Sequence, residues 1–470
     1  MLFNSLEFFI FLPIVFFVYW KILSSRVSFQ NIFLLGASYL FYAWWDWRFL
    51  FLLAFSTLLD FYSGLLIQNS NHARGRKFWL ITSVLINIGF LMFFKYYNFF
   101  ADSLRDSFLS LGISLDLPTL KLILPVGISF YTFHGMSYVF DIYRNQGKPT
   151  KNLVNYSLFV SYFPLLVAGP IERASHLLPQ LEVPRKWNWK QFKEGLFLVS
   201  WGFFKKVVIA DSLAVFVDEV FKNYQHESGI NLLVGAVFFS FQIYGDFSGY
   251  SDIARGVSKF FGIELLLNFN FPYFSRSIPE FWKRWHISLS SWFRDYLFIP
   301  LGGSKEGKLK ALRNVIIIFL VSGFWHGANW TFIIWGGIHA LMYIPSFLFG
   351  SHKKYKGTEF STGKWYPSLR EGLSILATFA LVTVAWIFFR ADDVSTAWNF
   401  IHRMVSAMFS NFSIDIRHLF NFTYIVIFIL LDLILHAKKE VKYAWQIIFF
   451  LLAMLLILNG EKPNFLYFQF

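Results

Sequence analysis

The sequence contains no cysteine. Disulfide bonds, thiolate catalysis and cysteine-ligated metals are therefore excluded. Charged residues make up only 15% of the 470 positions, whereas soluble proteins usually carry about 25%. The 11 histidines form no H-E-x-x-H or H-x-x-H pattern, so we expect no metal site. The chain also lacks a Walker sequence and a G-x-S-x-G elbow, so neither a P-loop ATPase nor an α/β-hydrolase is supported.

Apolar residues dominate instead, with 56% of the chain hydrophobic and 22% aromatic. Repeated apolar runs of about 18 residues or more are typical of membrane-spanning helices. The net charge of +14 fits Lys and Arg in cytoplasmic loops better than it fits nucleic-acid binding. We therefore predict an all-α, polytopic integral membrane protein of one domain, 1–470. We place it in the cytoplasmic (inner) membrane of the cell, surrounded by membrane lipid.

About ten to twelve crossings are predicted, since each one needs about 20 residues. A basic loop at 74–77 and an acidic loop at 102–116 indicate that the N-terminus lies outside. Several candidate spans contain Pro or Gly, and we expect some of them to be re-entrant. The candidate spans are 6–22, 29–46, 48–67, 78–98, 121–142, 153–169, 192–220, 229–246, 311–324 with 327–349, 371–390, 418–436 and 442–459.

The region 247–310 contains no clean apolar span of about 20 residues. It mixes aromatic, charged and small residues, and we expect interfacial helices or re-entrant turns around a cavity. Its richest segment, 277–300, reads S-I-P-E-F-W-K-R-W-H-I-S-L-S-S-W-F-R-D-Y-L-F-I-P. If this segment is helical, Glu280 and Arg284 can pair across four residues. A simpler interpretation is an interfacial helix whose charged side chains reach the head groups.

A second segment, 321–340, reads V-S-G-F-W-H-G-A-N-W-T-F-I-I-W-G-G-I-H-A and contains His326. Ionisable groups at membrane depth are costly, so each one is a functional candidate. Gly323 and Gly327 allow another backbone or a substrate to approach the imidazole, which is a suitable general base near neutral pH. The structural alternative is a histidine bonded to a neighbouring helix. His339 is predicted to lie far along the same helix and is the weaker candidate.

Small and polar residues also interrupt apolar runs in three further segments: P-V-G-I-S-F-Y-T-F-H at 125–134, A-G-P-I-E-R at 168–173 and D-F-S-G-Y-S-D at 246–252. Together with the two histidine segments, they resemble the membrane-bound O-acyltransferase (MBOAT) family. The resemblance is closest to the bacterial branch that acetylates alginate and peptidoglycan, and the D-alanyl transfer protein is more distant. It covers 125–330 and the opening M-L-F-N-S-L-E-F.

The resemblance implies a central funnel, with a catalytic core over about 125–345 and C-terminal helices over 371–470. Its W-H-x-S-L-S-x-W-F-R-D-Y and G-F-W-H-G blocks fall on His286 and His326, and it assigns catalysis to His326. We expect His286 to orient the donor or the acceptor. Neighbouring polar and aromatic side chains are candidates for binding the substrate or donor: Lys283, Arg284, Arg294, Asp295, Asn329 and Trp330.

The implied reaction moves an acyl group, expected to be acetyl, from cytoplasmic acetyl-CoA or a carrier-bound acyl group, with no tightly bound cofactor. The implied acceptor is a hydroxyl of an extracytoplasmic polysaccharide such as alginate or peptidoglycan, reached through an exported acetyltransferase partner protein. Two other functions remain open. A transporter or flippase would favour inverted repeats, which we do not detect, and a non-catalytic scaffold of an export complex would not need His326.

Overall fold

The computed structural model describes residues 1–23, 26–167, 169–350, 360, 366–408, 417–438, 446, 448–450 and 452–454. Within these residues every regular element is helical, which confirms the predicted all-α class. The helices are α1 (Leu6–Phe17), α2 (Val27–Asp46), α3 (Phe49–Asn69), α4 (Ala73–Leu91), α5 (Tyr97–Ser110), α6 (Ile128–Tyr143), α7 (Leu153–Ser161), α8 (Ala174–Glu182), α9 (Trp189–Phe203), α10 (Ser212–Lys222), α11 (Gly229–Phe260), α12 (Ile278–Arg284), α13 (Ile287–Phe293), α14 (Lys308–His326), α15 (Trp330–Leu348), α16 (Leu369–Arg390), α17 (Val394–Ser406) and α18 (Arg417–Lys438).

The chain groups into two compact units. The first comprises Met1–Gly195 and Ala254–Leu266, and the second comprises Leu196–Ile253 and Leu267–Phe470. The predicted catalytic histidines both fall in the second unit. The single domain of 1–470, with its core over about 125–345, stays a prediction, and the C-terminal region 371–470 is described only in part.

Six of the described helical segments are long and apolar enough to cross a membrane, which agrees with a multi-pass membrane protein. Large apolar side chains such as Phe51 and Leu85 are 70% and 63% exposed, as expected of surfaces that face lipid. The remaining predicted spans fall on shorter, interrupted or more polar helices, or, like 442–459, largely outside the described residues. The six are Phe49–Asn69, Ala73–Ser110, Gly229–Phe260, Lys308–His326, Trp330–Leu348 and Leu369–Arg390.

Helices α14 and α15 form a hairpin whose two backbones lie in close contact. A Cβ atom at Gly323 would overlap the carbonyl oxygen of Phe332, and one at Gly336 would overlap that of Phe319. Small residues at a crossing allow two helices to approach at this distance. The sequence prediction that Gly323 lets another backbone approach is therefore correct, and the approaching backbone is that of α15.

The prediction that His339 lies on the same helix as His326 is wrong. Helix α14 ends at His326, and Gly327 is extended at φ −159° and ψ 155°. The next helix begins at Trp330 and contains His339. Because the apolar pattern continues through this short break, the sequence does not reveal that the chain turns back.

The region 247–310 is more regular at its start than predicted. Residues 246–252 lie inside the 32-residue helix α11. Their polar side chains are accommodated because Asp246 and Asp252 form ion pairs with Lys206 and Lys205, at 2.7 and 2.6 Å. Beyond this helix, the short helices α12 and α13 match the expected break in the spanning pattern, while their interfacial or re-entrant placement stays a prediction.

Adding one methyl group at the hairpin crossing tests its packing. We expect Gly336→Ala to lower the thermal unfolding temperature of the detergent-solubilised protein, since overpacking usually costs about 1–3 kcal/mol. The matched control is Gly337→Ala, where the nearest atom to a new Cβ is Leu320 Cδ2 at 3.8 Å. Alanine is the better helix former, so the control is expected to be neutral or slightly stabilising. Equal destabilisation by both changes would contradict the close approach.

Candidate active site

His286 lies between α12 and α13 in a backbone conformation that few residues other than glycine adopt. Its φ is 43° and its ψ is 54°, in the left-handed region that is unfavourable for a side chain with a Cβ. Two backbone hydrogen bonds hold this connection against the preceding segment: Ile287 N donates to Asn268 O at 2.8 Å, and Asn270 N donates to Arg284 O at 2.9 Å. The imidazole of His286 is fully buried.

The side-chain oxygen of Asn268 is the hydrogen-bond partner of several polar groups around His286. Asn268 Oδ1 lies 3.1 Å from His286 Nδ1, and it accepts hydrogen bonds from Ser288 N at 3.3 Å and Ser288 Oγ at 2.9 Å. Asn268 is itself fully buried. Burial lowers the pKa of His286 to about 3, because a charged imidazole is poorly solvated there. His286 is therefore neutral at physiological pH.

His326 lies beside His286, with 6.5 Å between the two ring centroids. It is the last residue of α14 and is 4% exposed. Its ring packs edge-on against Trp335 at 5.1 Å and Phe389 at 5.4 Å. The structure thus brings together the two histidines that the sequence motifs select, although 40 residues separate them. An apolar wall of aromatic rings surrounds the pair.

His339 belongs to the same aromatic cluster. Its ring centroid lies 4.9 Å from that of Trp335, the ring that also contacts His326. Trp282 Nε1 donates a hydrogen bond to His339 Nδ1 at 3.3 Å. Because an indole N–H can only donate, the lone pair of Nδ1 is occupied and the proton of the neutral ring lies on Nε2. His339 thus shares the Trp335 ring with His326.

Arg284 is bound within a buried ion-pair network. Its guanidinium pairs with Glu280 at 2.5 Å, and Glu280 also binds Arg276 at 2.8 Å. Arg276 reaches on to Glu371 at 2.7 Å, and Glu371 completes a capping box at the start of α16. The predicted Glu280–Arg284 pair is confirmed. The network ties α12 to α16 and so supports the segment that carries His286.

The other predicted binding residues lie nearer the surface. Lys283 and Arg294 are exposed, and Arg294 pairs with Asp295 at 2.8 Å. Asn329 caps α15 by accepting from Thr331 N, and its amide donates to Asp392 O at 2.7 Å. Trp330 is 53% exposed. Binding of substrate or donor by these residues stays a prediction. Asn329 also stabilises the end of the α14–α15 turn.

Sequence analysis missed two lysines in this unit. Lys205 and Lys206 are 3% and 4% exposed; Lys205 pairs with Asp252, and Lys206 pairs with Asp246 and also with Asp211 at 2.7 Å. The signal was available, since two adjacent lysines stand inside the apolar run 192–220. Buried charges need partners, and these pairs hold α11 against the π-helical turn Phe204–Asp211.

Two of the remaining motifs meet in the first unit. His134 Nε2 accepts from Glu172 N at 3.1 Å, and the Glu172 carboxylate contacts His176 Nδ1 at 2.7 Å. Glu172 also accepts from Leu266 N at 2.6 Å. Polar residues of 125–134 and 169–173 thus form a hydrogen-bond network, whereas Ala168 of the second motif lies outside the described residues.

Long apolar helices and two adjacent buried imidazoles define the class: a multi-pass membrane protein with a histidine site. Residues 146–361, which contain both histidines, match the model of the membrane-bound O-acyltransferase family. The chain is 40% identical over 412 residues to the probable alginate O-acetylase AlgI of Pseudomonas aeruginosa, covering 87% of this chain and 75% of that protein. It therefore belongs to the membrane-bound O-acyltransferase family.

Two other relatives broaden the comparison. The peptidoglycan O-acetyltransferase of Helicobacter pylori is 37% identical over 434 residues, covering 86% of this chain and 80% of that protein. The teichoic acid D-alanyltransferase of Bacillus subtilis is 31% identical over 286 residues, covering 58% and 70%. The family resemblance and the class of enzyme predicted from the motifs are confirmed: the protein is an O-acyltransferase. Within the described ranges, no cluster of three or more His, Asp or Glu side chains could hold a metal ion.

Removing one member of the buried network tests its contribution to folding. We expect Glu280→Gln to lower the free energy of unfolding by about 3–5 kcal/mol, because Arg284 stays buried without its carboxylate. The measurement is thermal unfolding in detergent. The matched control is Glu306→Gln, which breaks a pair with Lys310 in which both side chains are at least 50% exposed, and which should leave stability unchanged. A stable Glu280→Gln protein would show that the network is dispensable.

Proposed function

We propose that the protein transfers an acetyl group from a cytoplasmic donor to hydroxyl groups of an extracytoplasmic polysaccharide, with His326 as the general base. The observation that carries this proposal is the pairing of His286 and His326 at 6.5 Å inside the region matched by the family model. Two imidazoles this close can both act on one bound substrate. Relatives named for alginate and peptidoglycan acetylation support the acceptor class.

In the proposed reaction, His326 carries a proton from the acceptor hydroxyl to the leaving group. His326 takes the proton of the acceptor hydroxyl, and the hydroxyl oxygen attacks the acyl carbonyl carbon to form a C–O bond. The tetrahedral intermediate collapses when the C–S bond of a thioester donor breaks. The imidazolium then gives its proton to the departing thiolate. Acetyl-CoA and a carrier-bound acyl group both satisfy this scheme.

The exposed cations suggest where the donor binds. Three basic residues were selected from the sequence. Arg284 is buried in an ion pair with Glu280, whereas Lys283 and Arg294 are exposed. An anionic donor such as a CoA phosphate is attracted to such side chains. We assign donor steering to Lys283 and Arg294, with Asp295 orienting Arg294 through their ion pair. Trp330, at the end of the turn between α14 and α15, supplies an exposed indole for contact with the acceptor.

The proposal also places the two substrates on opposite sides of the membrane. Basic loops predicted in the cytoplasm favour the cytoplasmic membrane, with the donor on that side and the polysaccharide on the other. An exported acetyltransferase partner protein would receive the acetyl group or present the polymer. Comparing the O-acetyl content of cell polymers with and without the gene, by mass spectrometry, identifies the acceptor. Unchanged O-acetylation of every polymer would count against this part of the proposal.

The role of the two imidazoles is tested by substitution. We expect His326→Ala to reduce acetyl transfer from radiolabelled acetyl-CoA in membrane vesicles by about 10²–10⁴-fold, the usual contribution of a general base, while the protein remains inserted. His286→Ala is also expected to reduce transfer. The matched control is His402→Ala, since His402 is an exposed residue of α17. Full transfer by His326→Ala vesicles would favour a scaffold role and exclude His326 as the base.

A further inference from the structure

We infer that Asn268 is a positioning residue that holds His286 with its proton on Nδ1, so that His286 Nε2 offers a lone pair to a hydroxyl of the acceptor sugar. This inference rests on the proposed function, because it concerns the same site. It assigns to His286 the part of a hydrogen-bond acceptor. It excludes His286 as a donor to the oxyanion of the tetrahedral intermediate.

The orientation of the Asn268 amide follows from its neighbours. Side-chain oxygen and nitrogen of an asparagine are distinguished by the groups they face. Ser288 N lies 3.3 Å from the atom assigned as Asn268 Oδ1, and a backbone N–H can only donate. A reversed amide would place two donors against each other inside a fully buried site. The oxygen of Asn268 therefore faces Ser288 and, from the same position, His286.

The protonation of His286 follows from that oxygen. An amide oxygen accepts, so His286 Nδ1, at 3.1 Å, must carry the proton. Because burial keeps the ring neutral, Nε2 is left with a lone pair and no proton. Among the residues that the structure describes, no hydrogen-bond partner of this buried Nε2 is found. Buried polar atoms are usually satisfied, which points to a ligand as the missing donor.

His339 shows that the arrangement around His286 is specific. The two rings belong to one aromatic cluster, yet Trp282 donates to His339 Nδ1, whereas Asn268 accepts from His286 Nδ1. The two histidines consequently carry their protons on opposite nitrogens. Packing of the His286 ring does not by itself require a hydrogen-bond acceptor beside Nδ1. The asparagine at position 268 therefore determines which ring nitrogen of His286 carries the proton.

The hydroxyl held by His286 must differ from the one that is acylated. A hydroxyl has one proton to donate, and in the proposed reaction His326 takes the proton of the attacking group. The sugar rings of a polysaccharide carry several hydroxyls, so a neighbouring one can donate to His286 Nε2 while the first faces His326. With their ring centroids 6.5 Å apart, the two imidazoles are close enough to contact neighbouring hydroxyls of one sugar.

The surroundings of His286 limit which groups affect its titration. Phe247 of α11 packs against it at 4.7 Å, and Trp325 of α14 at 6.1 Å. Asp246, next to Phe247, is paired with Lys206. On its own segment, Arg284 is paired with Glu280. His326 is the titratable ring that faces it.

Histidine-selective ¹⁵N NMR of the purified full-length protein in nanodiscs tests the inference directly. We expect the signals that disappear in His286→Gln to show a neutral ring with the proton on Nδ1. In Asn268→Ala these signals should move toward the other tautomer, and acetyl transfer from acetyl-CoA should fall about 10–100-fold, as when an orienting partner is removed elsewhere. A wild-type ring with its proton on Nε2 would overturn the inference without any activity measurement.

Asn268→Asp tests the contact with His286 through a second quantity, the pKa of His286. A purely structural role of Asn268 would not predict a change in it. A carboxylate still accepts from Nδ1, so the tautomer is kept, but it stabilises the imidazolium and raises the pKa of His286. The pH at which the ¹⁵N signals of His286 titrate should therefore rise by about one unit or more. Unshifted titration of these signals together with full activity of Asn268→Ala would contradict the assignment.

Asn314→Asp is the matched control for burying a carboxylate. Asn314 is fully buried in the same unit and donates to Leu301 O and Gly303 O, each at 3.1 Å. We expect this change to lower the yield of folded protein without changing the His286 tautomer or the pH at which its ¹⁵N signals titrate. If wild-type protein transfers no acetyl group but shows the expected tautomer, the proposed function fails while the assignment of His286 stands.

Discussion

The close approach of two backbones determines where His326 can lie. Because Gly323 and Gly336 carry no side chain, the carbonyl of Phe332 packs against Gly323 and that of Phe319 against Gly336. The chain reverses within three residues after His326. Phe332 then covers Gly327, where a Cβ would overlap its ring. The imidazole is consequently held at a helix end, among rings from both arms of the hairpin, rather than on a helix face that lipid could cover.

The parts of the site that the sequence predicted are those encoded by short, local patterns. His286 and His326 stand in compact blocks whose residue types are unusual at membrane depth, and the i, i+4 spacing of Glu280 and Arg284 is enough to predict their pair. The all-α membrane class follows from composition in the same way. These features need no knowledge of how distant segments meet, because each depends on neighbours within about one or two helical turns.

The missed features depend on contacts between distant parts of the chain. Asn268 stands in N-F-N-F, a segment without a spacing signal, and its role arises only because 268–270 pairs with the α12–α13 connection. His339 was placed too far from His326 because the extended Gly327 interrupts an otherwise continuous apolar run. One partner of Lys206, Asp246, lies 40 residues away, so a local sequence pattern does not reveal this ion pair.

Burial of the proposed site bears on whether the acyl group is transferred to a hydroxyl or lost to water. An activated acyl group that meets water at a general base is hydrolysed, so the base must be reachable by a hydroxyl of the acceptor and shielded from bulk solvent. His286 is fully buried and His326 is 4% exposed, and Trp335 and Phe389 close the apolar side of the pair. His286 Nε2 is buried, and no hydrogen-bond partner for it is found among the described residues. In the proposed reaction, a polyhydroxylated acceptor would both complete the buried hydrogen bonds and supply the nucleophile. Exclusion of water and selection of the acceptor would then follow from one arrangement.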